Sequence, residues 1–289
     1  MIQTITKNSI RDLLPRRKKT SHKGQNGCVL IIGGSRDFFG APILSALGAI
    51  RTGADLVHLF VPECNFDVSR CYLPEFIVHS YSGDYFHEEA VFLALSLIDL
   101  CDSVVIGPGM TDREEVLVGI SIFLKKISCP VVIDADALPV VKNMYLHDKQ
   151  AVLTPHAGEF QELIDKKLPD DIASREKILC EYARSQGVTV LLKGHSDFIA
   201  SREGKIVVNK TGNPGMTAGG TGDVLAGVVS SLIAQKVEPF FACQIAAFLV
   251  GTSGDFLAQK KSYGYLASEV ANTIPEVIRD ILAQEPKIA

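Results

Sequence analysis

Residues able to do chemistry concentrate in Gly212-Asn213-Pro214-Gly215-Met216-Thr217-Ala218-Gly219-Gly220-Thr221-Gly222-Asp223, where five of twelve positions are glycine. A backbone without Cβ atoms adopts positive φ and lies close to a ligand. The following Val-Leu-Ala-Gly opens a helix near Asp223. The first amides of a helix lack intrahelical acceptors, and its dipole adds positive potential there. Glycine-rich turn plus helix N-terminus is an anion cradle, with the Asp223 carboxylate held beside it. The chemistry this suits is phosphoryl transfer, with Asp223 taking a proton from the attacking group. Asp223 as a plain helix cap is the competing reading, but a cap does not need glycines from 212 to 222. The run is neither a P-loop, because no Gly-Lys-Ser/Thr follows, nor a G-x-G-x-x-G fingerprint.

Five further segments end apolar runs with polar or flexible residues. They are Ile31-Ile32-Gly33-Gly34-Ser35 with Gly40-Ala41 beyond it, Val105-Ile106-Gly107-Pro108-Gly109-Met110, and Val132-Ile133-Asp134-Ala135-Asp136; then Leu153-Thr154-Pro155-His156-Ala157-Gly158-Glu159 and Leu192-Lys193-Gly194-His195-Ser196-Asp197. Residues two apart in an extended chain face the same way, so Asp134 and Asp136 could enter one cleft and hold Mg²⁺ through water. A structural role for either is equally compatible. His156 is a candidate ligand contact or a structural hydrogen-bonder. Lys193-Gly194 offers an ammonium and free amides to phosphate, or is simply surface. Open parallel sheets bind ligands along the carboxyl edge of their strands, and that common location gives the set more weight than any member has alone.

The elements that must position these residues alternate in period. Short β-branched runs at 28–32, 56–61, 103–106, 131–133, 151–153 and 188–192 read as buried strands. Segments 41–51, 88–100, 160–166 and 174–186 read as helices. This predicts an α/β fold, a mostly parallel central sheet with helices on both faces. Residues 198–200 and 206–208 predict an antiparallel edge hairpin turning at Glu203-Gly204. Helices are expected over 223–235, 240–260 and 267–283. No long linker or internal repeat divides the 289 residues, so one domain over 1–289 is expected, with its core about 23–283.

Composition narrows the partners. The chain carries 29 Lys plus Arg against 33 Asp plus Glu, a net charge of −4, which offers no electrostatic case for nucleic acid. The basic run Arg16-Arg17-Lys18-Lys19 reads as a solvated face. Seven scattered cysteines without C-x-x-C spacing read as small buried hydrophobes in a reducing cytoplasm, not as a zinc motif. The most apolar late stretch, 240–250, is too short to span a bilayer and suits a buried helix. No membrane association and a cytoplasmic location are expected.

Taken in order, Gly33-Gly34-Ser35, Gly40-Ala41, Gly107-Pro108-Gly109, Asp134-Ala135-Asp136-Ala137-Leu138, Thr154-Pro155-His156, Lys193-Gly194 and Gly219-Gly220-Thr221-Gly222-Asp223 resemble the NAD(P)H-hydrate dehydratases, members of the ribokinase-like superfamily. The likeness runs from about residue 23 to 275. It implies repair of hydrated NADH or NADPH: ADP (or ATP), with Mg²⁺, phosphorylates the hydrate hydroxyl, phosphate leaves, and the dihydronicotinamide returns. ADP is the expected co-substrate, giving AMP and phosphate. By the same resemblance Ala41, Gly107 or Gly109, and His156 would line the hydrate site. Lys193, Gly194, His195, Ser196, Asp197, Gly220, Thr221 and Gly222 would hold the nucleotide, and Asp223 would contact the hydroxyl as base. A homo-oligomer of four or more copies is implied too, without the N-terminal epimerase domain many members carry. The chain departs from the pattern at Thr111, where glycine is common, at Asp197, where Ser or Thr is usual, and at Val250-Gly251, where His-Gly is frequent. A ribokinase-like kinase of a small vitamin-precursor alcohol would share Asp223 and its turn. A non-catalytic nucleotide-binding protein would not need Asp223, and an NAD-dependent oxidoreductase would need the missing fingerprint.

Overall fold

Strand–helix alternation here produces, in a computed structural model describing residues 2–283, the succession β1 (Gln3–Thr4), α1 (Lys7–Leu13), β2 (Cys28–Ile32), α2 (Gly40–Arg51), β3 (Leu56–Pro62), α3 (Glu63–Tyr72), β4 (Phe76–Tyr81), α4 (Glu88–Ile98), β5 (Ser103–Ile106), α5 (Glu114–Lys126), β6 (Val131–Ile133), α6 (Leu138–Val141), β7 (Ala151–Leu153), α7 (Ala157–Ile164), α8 (Ile172–Gln186), β8 (Thr189–Leu192), β9 (Asp197–Ala200), β10 (Ile206–Asn209), α9 (Thr221–Ala234), α10 (Pro239–Lys261) and α11 (Ala267–Leu282). Short 3₁₀ turns occupy Ala135–Ala137 and Pro214–Thr217.

The strands form one sheet in the order β1-β10-β9-β8-β7-β6-β5-β2-β3-β4. From β8 to β4 every pairing is parallel, and β9 runs against both β8 and β10. The expected antiparallel hairpin exists at this edge of the sheet, with the two-residue β1 added parallel to β10 outside it. Both faces are buried, which is why the central strands are apolar without alternation. Val29 and Ile31 face the α1, α2 and α9–α11 side, while Leu30 and Ile32 face the α4–α8 side.

Helix α9 carries the glycine-rich turn at its start, so its placement decides the site. It crosses α2 at very close range. A Cβ added to Gly227 would stand 1.8 Å from the Ser45 carbonyl oxygen, and one on Gly48 would stand 2.4 Å from that of Val224. Both contacts are far inside van der Waals range, so these two glycines set the helix separation. The apolar stretch near 240–250 belongs to the long helix expected over 240–260, observed as Pro239–Lys261. At 23 residues, α10 is long and apolar enough to cross a membrane, yet 78% of its most apolar window is buried in the protein. The cysteines also differ from expectation: Cys28 and Cys243 are buried, but Cys64 and Cys71 are exposed and Cys101, Cys129 and Cys180 are partly so.

Candidate active site

The turn before α9 is held by side chains that local sequence does not reveal. Asp255 of α10 accepts from the Gly212 amide at 2.9 Å and from Asn213 Nδ2 at 3.0 Å. Asn213 Oδ1 accepts from the Gly215 amide at 3.0 Å and from the Tyr265 hydroxyl at 2.8 Å. The turn closes on Gly220 at φ +94°, the N-cap of α9, with no side-chain cap bond. A Cβ on Gly220 would meet Leu44 Cδ1 at 2.3 Å, so this glycine is required twice, by its φ and by core packing. Asp223 is therefore not the cap; it lies in the first turn of the helix. Among the described residues, the amides of Gly222 and Asp223 pair with no acceptor. They are the bare donors that make a helix start an anion site.

Opposite this start stands a buried ion pair. Lys193, just past β8, places Nζ 3.0 Å from Asp134 Oδ1 and 3.9 Å from Glu159 Oε2. The Asp134 side chain is 2% exposed and also accepts from the Thr154 hydroxyl at 2.7 Å. Burial alone would lower the Lys193 pKa, but Asp134 and Glu159 outweigh it and the pKa rises. Lys193 is thus a fixed cation. A Cβ on Gly222 would lie 3.3 Å from its Nζ, which sets the ammonium against the α9 start. Asp223 shares this environment. Burial, then repulsion from Asp134, raises its pKa from 3.8 to about 7, with Lys193 pulling the other way and Asp136 and Glu159 adding to the rise. A carboxyl poised near neutrality is what a general base requires.

Asp134 and Asp136 reach this centre by a different route from the one predicted. The chain leaves extended geometry after Asp134, because Ala135 takes φ +47° and begins a 3₁₀ turn. Asp134 turns to Lys193, whereas Asp136 accepts from the Thr111 amide at 2.8 Å. Burial raises the Asp136 pKa despite that bond and a second from the Met110 amide. Both carboxylates still act electrostatically on Asp223. Gly107 permits the turn: its φ is +123°, and a Cβ there would overlap the Asp134 carbonyl oxygen at 1.8 Å.

Two flanks carry the expected site residues. On one, a cavity of about 660 Å³ is lined by His156, Lys193, Gly194, His195, Asp197, Thr211, Gly212, Asn213, Thr221 and Gly222, with an apolar wall including Leu225, Ala247 and Val250. On the other, a Cβ on Gly109 would stand 3.1 Å from Ala41 Cβ, which places these two expected hydrate contacts side by side. Beside them, Gly34 donates to the Pro108 carbonyl at 2.8 Å, stitching the two glycine loops together.

Three expectations shift. His156 lies with the residues of the Lys193 cavity, not beside Ala41 and Gly109. It caps α7, its Nδ1 accepting from the Glu159 amide at 3.1 Å while Glu159 Oε2 accepts from the His156 amide at 2.6 Å. Asp197 directs both carboxylate oxygens into its own loop, accepting from the Gly194 amide at 3.1 Å and from Asn209 Nδ2 at 3.0 Å. Burial raises its pKa against those bonds, and both oxygens are spent on shaping the loop. Gly220 and Ser196 do not line the cavity. Sequence reasoning quoted Thr154, Glu159 and Asn213 within their segments without giving them a role, and missed Asn209, Asp255 and Tyr265. Glu159 alone carried a signal, as the third residue after a capping position.

A family model described as NAD(P)H-hydrate dehydratase matches residues 29–276. The chain is 33% identical over 278 residues to the ADP-dependent (S)-NAD(P)H-hydrate dehydratase of Cenarchaeum symbiosum, covering 95% of this chain and 96% of that protein. It is 39% identical over 278 residues to the bifunctional NAD(P)H-hydrate repair enzyme of Methanopyrus kandleri, covering 94% of this chain and 53% of that one. The chain thus spans about half the length of the bifunctional relatives it matches. The ADP/ATP-dependent NAD(P)H-hydrate dehydratase of Bacillus subtilis, co-crystallized with ATP/Mg²⁺, superposes with a TM-score of 0.85 at 28% identity, covering 97% of this chain and 99% of that chain.

Proposed function

This chain belongs to the NAD(P)H-hydrate dehydratase family, with a ribokinase-like fold, and from that premise we propose that it uses ADP to restore NADH and NADPH from their hydrates. The observation that carries the reading is Asp223: a carboxyl with a pKa near 7, in the first turn of a helix whose amides are bare, across from a fixed ammonium.

Ionised Asp223 takes the proton of the hydrate hydroxyl as that oxygen attacks the terminal phosphorus of ADP. The bond from phosphorus to the bridging oxygen breaks, and AMP departs. The amides of Gly222 and Asp223 and the Lys193 ammonium stabilise charge on the group in transit. The phosphorylated hydrate then loses phosphate with its bonding electrons, and the adjacent carbon gives up a proton to close the ring double bond. The nucleotide occupies the Lys193 cavity, its base against Leu225, Ala247 and Val250. The hydrate lies on the Ala41–Gly109 flank.

The acidic groups around Asp223 fit a divalent cation, because Asp134 and Asp136 each raise its proton affinity and a cation would relieve the same repulsion. Asp136 and Asp223, through water, would hold Mg²⁺ brought by the nucleotide, and the ion would neutralise phosphate charge. We assign the activity to one domain over 23–283, working in the cytoplasm as a homo-oligomer. The test is donor choice: with hydrate and Mg²⁺, ADP should be consumed and AMP and inorganic phosphate released in equal amounts. A stable phosphomonoester of another alcohol, made from ATP, would instead identify a kinase.

A further inference from the structure

At the amino ends of the strands, away from the cleft, three elements bring together side chains that nothing in the proposed reaction uses. Cys28 opens β2, His58 lies on neighbouring β3, and Cys101 ends the turn before β5. The two sulfurs are 3.4 Å apart, and the potential ligand atoms of Cys28, His58 and Cys101 all lie within 4.8 Å of one another. We propose that Cys28, Cys101 and His58 form a binding site for a thiophilic divalent metal ion, Zn²⁺ foremost.

The donor set suits that ion. Two thiolates and an imidazole are borderline-to-soft ligands that favour Zn²⁺ over Mg²⁺ or Ca²⁺. Thiolates at about 2.3 Å from one tetrahedral Zn²⁺ stand roughly 3.8 Å apart, so the pair need open by only a few tenths of an ångström. Cys28 and His58 are buried, while Cys101 is half-exposed and supplies an entry path. The outer partners are also in place. His58 Nδ1 lies 2.9 Å from His79 Nε2, which leaves His58 Nε2 free to ligate. With the proton on His58 Nδ1, His79 Nε2 accepts it, the arrangement that orients ligating histidines. Asp102 Oδ2 accepts from the Cys28 amide at 3.0 Å and fixes the backbone at the first sulfur; Lys236 pairs with the other oxygen of Asp102.

Metal binding releases the thiol protons and leaves two thiolates, one neutral imidazole and an open position for water. No C-x-x-C spacing marks this site, because its members lie on β2, on β3 and in the turn before β5, brought together only by the β3-β2-β5 pairing.

The experiment uses the full chain, reduced and stripped of metal, titrated with Co²⁺ as a spectroscopic substitute and with Zn²⁺ in competition against a chromophoric chelator. The expected result is one ion per chain with a thiolate-to-Co²⁺ charge-transfer band. That band should vanish in Cys28→Ser and in Cys101→Ser and persist in Cys71→Ser. His79→Ala should weaken affinity by about 10–100-fold. In the unmutated chain, Zn²⁺ should slow alkylation of Cys28 and Cys101 but not of exposed Cys64 and Cys71, a readout independent of whether variants fold. No charge-transfer band at one equivalent of Co²⁺, a band that survives both substitutions, or equal alkylation of all four cysteines with and without Zn²⁺ would overturn the proposal.

Discussion

Replacing Asp223 with Asn should impair turnover and strengthen the fold, a combination that a structural carboxylate would not give. In the folded chain, burial and Asp134 raise its pKa from 3.8 to about 7. At 1.36 kcal/mol per pH unit, a rise of roughly three units means that ionising Asp223 costs the folded state up to about 4 kcal/mol. Between the two pKa values the folded state binds more protons than the unfolded state, so this group makes stability fall as pH rises from about 4 to about 7. The full cost is present above about pH 7 and absent below about pH 4, where both states are protonated. Solvent at the open side of the cleft screens part of it, leaving an expected gain for Asp223→Asn of about 1–3 kcal/mol near pH 8.5, or roughly 2–4 °C in Tm per kcal/mol. Thermal unfolding of both proteins at several pH values measures the gap, which should shrink toward about pH 4. Turnover should fall by about 10²–10⁴, the usual contribution of a general base. Near-normal turnover, or a lower Tm at high pH, would refute the assignment.

Further outcomes follow from the same geometry. Lys193→Met leaves Asp134 buried without its cation and should cost about 3–5 kcal/mol by denaturant unfolding; an unchanged midpoint would show that the pair contributes nothing. Gly222→Val should fold yet bind ADP more weakly by calorimetry, because a branched side chain there crowds Lys193 Nζ and the bare amides; unchanged affinity would move the nucleotide elsewhere. Thr111 holds φ +78° and its buried hydroxyl has no partner, so Thr111→Gly should stabilise the chain by about 1 kcal/mol while keeping the amide bond to Asp136; a drop in Tm would mean the hydroxyl matters. With Asp223 titrating near 7 and active when ionised, kcat/KM should rise with pH through about 7 and then level off; a rate that falls over that range would contradict the role.

The parallel core was readable because strands buried on both faces are uninterrupted β-branched runs, as in residues 28–32 and 103–106. β4 was not, because this edge strand mixes Phe76 and Tyr81 with exposed Ile77 and polar His79 and Ser80. β1 has two exposed residues and exists only because β10 offers an edge. Helix α5 did carry a helical pattern, Val116, Ile120, Phe123 and Leu124 facing inward, and was overlooked. At the site, glycine density and strand-end position located the cradle and Lys193. They could not reveal that Ala135 turns back at positive φ, that Asp197 faces its own loop, or that Asp255 and Tyr265 pin the turn from more than forty residues away. Such partners are set by tertiary packing, which leaves no local spacing. The departure at Thr111 has a visible cost in backbone strain; Val250 forms part of the apolar cavity wall.

The most direct measurement is recovery of dihydronicotinamide absorbance when purified protein meets NADH hydrate, ADP and Mg²⁺. The account predicts that each NADH regained is matched by one AMP and one phosphate, and that Asp223→Asn slows the recovery by about 10²–10⁴ while leaving ADP bound. Absorbance that stays flat with the unmutated enzyme, or that returns equally well without nucleotide, would contradict it.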